Sequence, residues 1–156
     1  MPVKAIPEGY RSITPYLAVD DASGAIEFYK RAFGATERLR MPTPDGKVAH
    51  AELEIGDSLV MLSDPFGEGD VKTPKAIGAT TMGIFLYTED VDATYKQALD
   101  AGATSTQEPK DMFWGDRFAR VTDPYGHSWQ IATHVEDVAP EEMERRSQEA
   151  MASVSS

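Results

Sequence analysis

The sequence predicts an α+β fold made of two copies of one strand–helix–strand–strand–strand unit. Three observations carry this expectation. "YLAVDDASGAIEFYKRAFGAT" (16–36) aligns with "FLYTEDVDATYKQALDAGAT" (85–104) at an offset of 69 residues, falling to 68 across the helix. "IGDSLVMLSD" (55–64) aligns with "YGHSWQIATH" (125–134) at an offset of 70, each copy a Gly-polar-Ser turn running into a strand. In both copies the apolar period changes from two to 3.6 and back at matching places.

The elements follow in chain order. Residues 1–10 read as an N-terminal extension, and the first unit spans 11–64. It opens with a short strand carrying Thr14, Tyr16 and Ala18 on one side. Asp21 is placed to cap a helix whose apolar stripe is Ile26, Tyr29 and Phe33, and Gly34 suits its left-handed end. Asp45-Gly46 then marks a hairpin between two strand patterns. Residues 65–81 are rich in Gly and Pro and read as a connection, either a mobile linker or a lid. The second unit spans 82–134, with Asp90 as cap, a stripe of Val91, Tyr95, Ala98 and Leu99, and Gly102 as stop. Residues 135–156 read as an acidic tail in which Pro140 opens a short helix.

Composition excludes several classes. The chain has 156 residues and no cysteine, so disulfides, thiolate nucleophiles and Cys-based zinc sites are out. A net charge of −11 would repel phosphate backbones, so nucleic acid is not an expected partner. The tail holds six acids and two arginines, a net −4, which leaves −7 for the rest. No apolar run approaches a membrane span, and "MPVKAIPEGY" lacks the apolar core of a signal peptide. The expected location is the cytoplasm. No serine sits in a glycine-flanked elbow, and "SDPFGEG" lies between the repeats rather than between a strand and a helix.

The duplicated unit, through "TPYLAVDDASGAIEFYKRAFGA", "HAELEIGDSLVML", "FLYTEDVDATYKQALDAGA" and "WGDRFARVTDPYGHSWQIATH", resembles the vicinal oxygen chelate superfamily, which includes glyoxalase I, bleomycin-resistance proteins and extradiol dioxygenases. The resemblance runs from Arg11 to His134 and leans toward the PhnB-like branch, which the tail "EDVAPEEMERR" also resembles. It implies two βαβββ repeats forming curled mixed sheets around a cavity, often in a homodimer and sometimes with the cavity shared between chains. Where members bind a metal, the resemblance places the ligands near the start of the first strand and on the last strand of each unit. Those positions fall on Thr14, Val60, Gly83 and Gln130. Valine and glycine offer no donor, and a hydroxyl and an amide are weak ones for a divalent transition metal. The expectation is that the usual metal chemistry is absent.

The cavity side is then expected to carry Thr14, Tyr16, Val60, Leu62, Phe85, Tyr87, Trp114, Arg120 and Gln130. In "KVAHAELEIG", Ala49, Ala51, Leu53 and Ile55 form the apolar face under the helix, which leaves His50, Glu52 and Glu54 on the cavity side. Trp114 and Tyr87 can stack on a planar ligand, and Arg120 or Arg117 can face a carboxylate or phosphonate. Tyr16 and Phe85 read equally well as filling for the sheet interior.

Of the three histidines, His50 lies two residues from Glu52 on the same strand face, a candidate acid–base pair or a satisfied structural histidine. His127 reads as a turn residue and His134 as an exposed strand end near the cavity mouth. Three readings of function follow. The first is a metal-independent binder of a small organic molecule in an aromatic-lined cavity. The second is a lyase- or isomerase-type enzyme using His50 and Glu52 as catalytic residues, with or without a divalent metal such as Zn, Ni, Mn or Fe. The third is a dimeric protein whose cavity is filled by its own side chains.

Overall fold

Asp21 adopts a left-handed backbone (φ 71°), a conformation that aspartate tolerates better than most residues. Its side chain accepts from Gly24 N and caps α1, Ala22–Phe33. Asp64 holds that turn in place. Its buried carboxylate accepts from the backbone N–H groups of Asp21, Ala22 and Val48, which ties the start of the helix to two strands. The second unit is less elaborate: Asp90 caps α3, Val91–Ala101, from an extended backbone.

The computed structural model describes residues 2–66 and 71–154. The first unit comprises β1 (Tyr16–Ala18), α1, β2 (Thr36–Pro42), β3 (Val48–Ile55) and β4 (Ser58–Ser63). The short α2 (Pro74–Ile77) lies in the connection, of which residues 67–70 fall outside the described residues. The second unit comprises β5 (Gly83–Tyr87), α3, β6 (Thr104–Asp111), β7 (Asp116–Thr122) and β8 (Ser128–His134). The tail forms α4, Pro140–Val154. The two sheets have the same order, β1-β4-β3-β2 and β5-β8-β7-β6, and are not closed into one barrel. In each, the first and last strands run parallel and the other pairs antiparallel. This is the α+β, two-βαβββ architecture that the repeat predicts. No helix among the described residues is long and apolar enough to cross a membrane.

One apolar core serves both units. It takes Leu17, Leu53 and Leu62 from the first sheet, Val121, Trp129 and Ile131 from the second, and the stripes of α1 and α3. Tyr29 and Phe33 of α1 pack on Trp129, with ring centroids 5.3 and 4.5 Å apart. The helices therefore cover one face of each sheet, and the other face of each is left open.

Pairing register corrects two expected side-chain directions. Tyr16 pairs with Met61 and Phe85 with Gln130, so the spatial twin of Gln130 is Met61, not Val60. Val60 and Leu62 match Trp129 and Ile131 and are buried in the helix-side core. The similar Gly-polar-Ser turns conceal a one-residue slip, because Ile55 pairs with Ser58 whereas Thr122 pairs with Ser128 across a longer loop. A slip of one exchanges the faces of a strand. Ala49 is likewise exposed rather than under the helix. Met41 pairs with His50 and Pro42 with Val48, so Ala49 is the extra residue of a bulge and Val48 takes the core position.

Candidate functional site

The open face of the second sheet is built in three cross-strand rows. Phe85, Gln130 and Arg120 form one, and Tyr87, Ala132 and Phe118 the next. Asp116 and His134 form the third. Residues paired in this way share a face, with Cβ atoms about 4.5–5.5 Å apart in an antiparallel pair. Ala132 is small and fully buried, so rings from both flanking strands converge above it. The result is a continuous aromatic wall. Ring centroids are 4.9 Å apart for Tyr87 and Phe85, 5.8 Å for Phe85 and Phe118, and 5.9 Å for Phe118 and Trp114. Phe85 and Tyr87 remain 43% and 61% exposed in the single chain.

Asp116, only 2% exposed, anchors the wall. Its carboxylate accepts from Tyr87 Oη at 2.8 Å, Trp114 Nε1 at 3.0 Å and His134 Nδ1 at 2.9 Å. Burial pushes this carboxyl up, but the hydrogen bonds from His134, Tyr87 and Trp114 outweigh it and leave the pKa below its ordinary value. His134 also reaches Asp137 Oδ1 through Nε2 at 2.7 Å. The Asp137 and Asp116 carboxylates raise the pKa of this imidazole. Trp114 stands on a loop that the tail clamps. Gly115 (φ 103°) accepts from Val135 N and Glu136 N, and a side chain there would collide with the Glu136 carbonyl. Arg146 of α4 donates to Phe113 O and pairs with Glu136 at 2.9 Å.

The open face of the first sheet has different chemistry. Glu52 Oε2 lies 2.8 Å from His50 Nε2, and His50 Nδ1 lies 2.8 Å from Tyr16 Oη. With Nε2 donating to the carboxylate, Nδ1 of the neutral ring is the acceptor for the Tyr16 hydroxyl. Tyr10 lies beside Glu52, outside good hydrogen-bond geometry, and its phenol is pushed up to about 12 by burial and by that carboxylate. Tyr10 and His50 in turn hold the Glu52 carboxyl below its usual range. Glu54, further along the same side of β3, is exposed.

The nine residues expected to line a cavity do not surround one enclosed space in a single chain. Thr14, Val60 and Phe85 border a 190 Å³ cavity at the junction of the two units. Tyr16 borders another, of 430 Å³, beside Asp64 and Phe66. Leu62 is buried in the core, while Tyr87, Trp114, Arg120 and Gln130 stand on or beside the open second face. Arg117 points the other way and is held by Asp92 at 2.8 Å and Asp111 at 3.1 Å. His127 reaches back to Ala18 O at 2.9 Å and is a structural link between the units.

With Met61 in place of Val60, the family metal positions hold a hydroxyl, a thioether, no side chain and an amide. This set does not fit a divalent transition metal. Among the described residues, no three His, Asp or Glu side chains are grouped to hold one. His50 and Glu52 lie on the first sheet and Gln130 on the second. The sequence places His134 at a strand end and does not join it to Asp116. The β7–β8 register is the signal that pairs them.

Comparison with known proteins agrees with this architecture. The sequence profile of the Glyoxalase/Bleomycin resistance protein/Dioxygenase superfamily matches residues 12–131. An uncharacterized protein of Mycobacterium bovis is 43% identical over 136 residues, which cover 85% of this chain and 90% of that one. The crystal structure of TioX from Micromonospora sp. ML1 superposes with a TM-score of 0.65 at 29% identity, covering 80% of this chain and 99% of that one. A PhnB protein from Bacillus cereus has a TM-score of 0.62 at 20% identity, covering 79% and 99%, and shares the fold. The chain belongs to the Glyoxalase/Bleomycin resistance protein/Dioxygenase superfamily.

Proposed function

We propose that this protein binds a small planar organic molecule, without a metal, against the open face of its second sheet. The observation that carries the reading is the wall of Tyr87, Phe85, Phe118 and Trp114, in which Phe85 and Tyr87 are exposed, Phe118 is buried beneath them, and Tyr87 and Trp114 are fixed by the buried Asp116. Concave sites for small ligands combine such rings with a few placed polar groups. A homodimer completes the site in this reading, with the first-sheet face of one copy closing over the second-sheet face of its partner. In its support, the open faces leave Tyr16, Phe85 and Tyr87 exposed on a lone chain, an unusual load for a monomer. The test pairs native mass spectrometry with light scattering. A dimer carrying a co-purified organic species, lost in Trp114→Ala, supports the reading. A monomer that binds none of a library of planar aromatics contradicts it.

A second reading is favoured by one observation, the Glu52–His50–Tyr16 chain at 2.8 Å per link. It makes Tyr16 a proton-transfer group for a lyase- or isomerase-type reaction. The phenol oxygen would take a proton from the substrate while its own proton passes to His50 Nδ1, and Glu52 would stabilise the resulting imidazolium. A turnover lost equally in Tyr16→Phe and His50→Ala, with binding retained, would establish it.

A further inference from the structure

We propose that the ligand of the second-sheet face is a planar aromatic carboxylate, held by Arg120 and Gln130. This rests on the binding reading above and names the class of molecule it takes. Arg11, Arg31, Arg38 and Arg120 make no ion pair among the described residues, and of these Arg120 is the one that stands on the open face of the second sheet. Arg117, three residues away, is saturated by Asp92 and Asp111. Arg120 has no carboxylate within ion-pair distance among the described residues. Instead its guanidinium lies 5.5 Å from the Phe118 ring centroid, which holds the planar fork against the aromatic wall.

Gln130 supplies the second donor. It is the direct cross-strand partner of Arg120, so the two side chains leave the sheet side by side. Its amide lies across Gly83, where even a methyl group would come within 3.2 Å of Nε2. Glycine at that position therefore leaves room for the amide. The Arg120 guanidinium rises from β7 and the Gln130 amide leans over Gly83 of β5, so a carboxylate above β8 has a donor on either flank, with the exposed Phe85 in the same row to take a flat ring system. Asp116 does not compete for Arg120, because its oxygens already accept from Tyr87, Trp114 and His134. The preference is confined to this face. By strand register, the twin of Arg120 on the first sheet is Glu52, which pairs with Met61 as Arg120 pairs with Gln130.

The test uses the full chain, calorimetric titration, and two probes of equal shape: 2-naphthoate and its neutral analogue 2-naphthamide. The expected result is that naphthoate binds about tenfold to a hundredfold tighter, the range for hydrogen bonds to a charged group. Arg120→Gln should bring the two affinities within about threefold of each other, on the scale of the same bonds lost. Arg117→Gln should leave the preference intact, and Arg120→Lys, which keeps charge but not the fork, should retain part of it. Equal binding of the two probes to the native protein, or an undiminished preference in a folded Arg120→Gln variant, overturns the carboxylate assignment while leaving a small-molecule site in place. Binding of neither probe at millimolar concentration overturns both.

Discussion

The Tyr29 hydroxyl donates to Asp123 Oδ2 at 2.6 Å across 94 residues of sequence, and this buried bond ties the first unit to the second. Asp123 also accepts from Trp129 Nε1 and from the backbone N–H groups of Tyr125 and His127. It organises the turn before β8 as Asp64 organises the turn before α1. Burial, then the Asp123 charge, pushes the Tyr29 phenol well above its ordinary value. Tyr29→Phe should cost about 1.5–3 kcal/mol, the range for a hydrogen bond to a charged group. Asp123→Ala should cost more, about 3–5 kcal/mol, because it strands several buried donors at once. Urea unfolding measures both, and an Asp123→Ala cost below that of Tyr29→Phe would contradict the shared-anchor role.

Asp116→Asn should loosen the aromatic wall more than it destabilises the protein. One amide oxygen cannot replace a carboxylate that accepts from Tyr87, Trp114 and His134. Trp114 should become more mobile, and affinity for a planar ligand should fall about tenfold, the equivalent of one hydrogen bond of about 1.4 kcal/mol. Trp114 fluorescence reports the first effect, with Trp129, buried in the core, as the internal reference.

His134 joins the end of β8 to the tail through Asp116 and Asp137, and both nitrogens facing carboxylates calls for the protonated ring. Its folded pKa is raised by Asp137 first and Asp116 second. A group with a raised folded pKa contributes stability that is fully present below its unfolded value, about 6.5 for histidine, and is lost as pH rises through the higher folded value. An NMR titration should therefore place the His134 midpoint above 6.5, and Asp137→Asn should lower it. A midpoint unmoved by that substitution would remove Asp137 from the account.

The orientation of His50 can be read without knowing any substrate. Glu52 accepts from Nε2, so nitrogen NMR of the native protein should show the Nε2–H tautomer. Glu52→Gln should weaken that preference, since an amide can donate as well as accept, whereas Tyr16→Phe should leave it in place. A dominant Nδ1–H tautomer in the native protein would rule out the Glu52–His50–Tyr16 proton path.

What the sequence determined by itself is the architecture. Matching caps at Asp21 and Asp90, stops at Gly34 and Gly102, and paired strand patterns specify two βαβββ units, because these signals are local and occur twice. The aromatic inventory of the second unit, including Phe85, Tyr87 and Trp114, was equally legible. Tertiary structure alone decided the faces and the partners. Val60 and Leu62 passed to the core because a turn of different length shifts β4 by one residue against its twin, and a period of two converts that shift into a reversal. Ala49 left the core face at a bulge that no local signal announces. The Asp116–His134 pair, the occupied state of Arg117 and the open state of Arg120 all depend on cross-strand register and on where α3 lies. These are contacts between residues distant in sequence, and a pattern read along the chain identifies the groups without saying which of them meet.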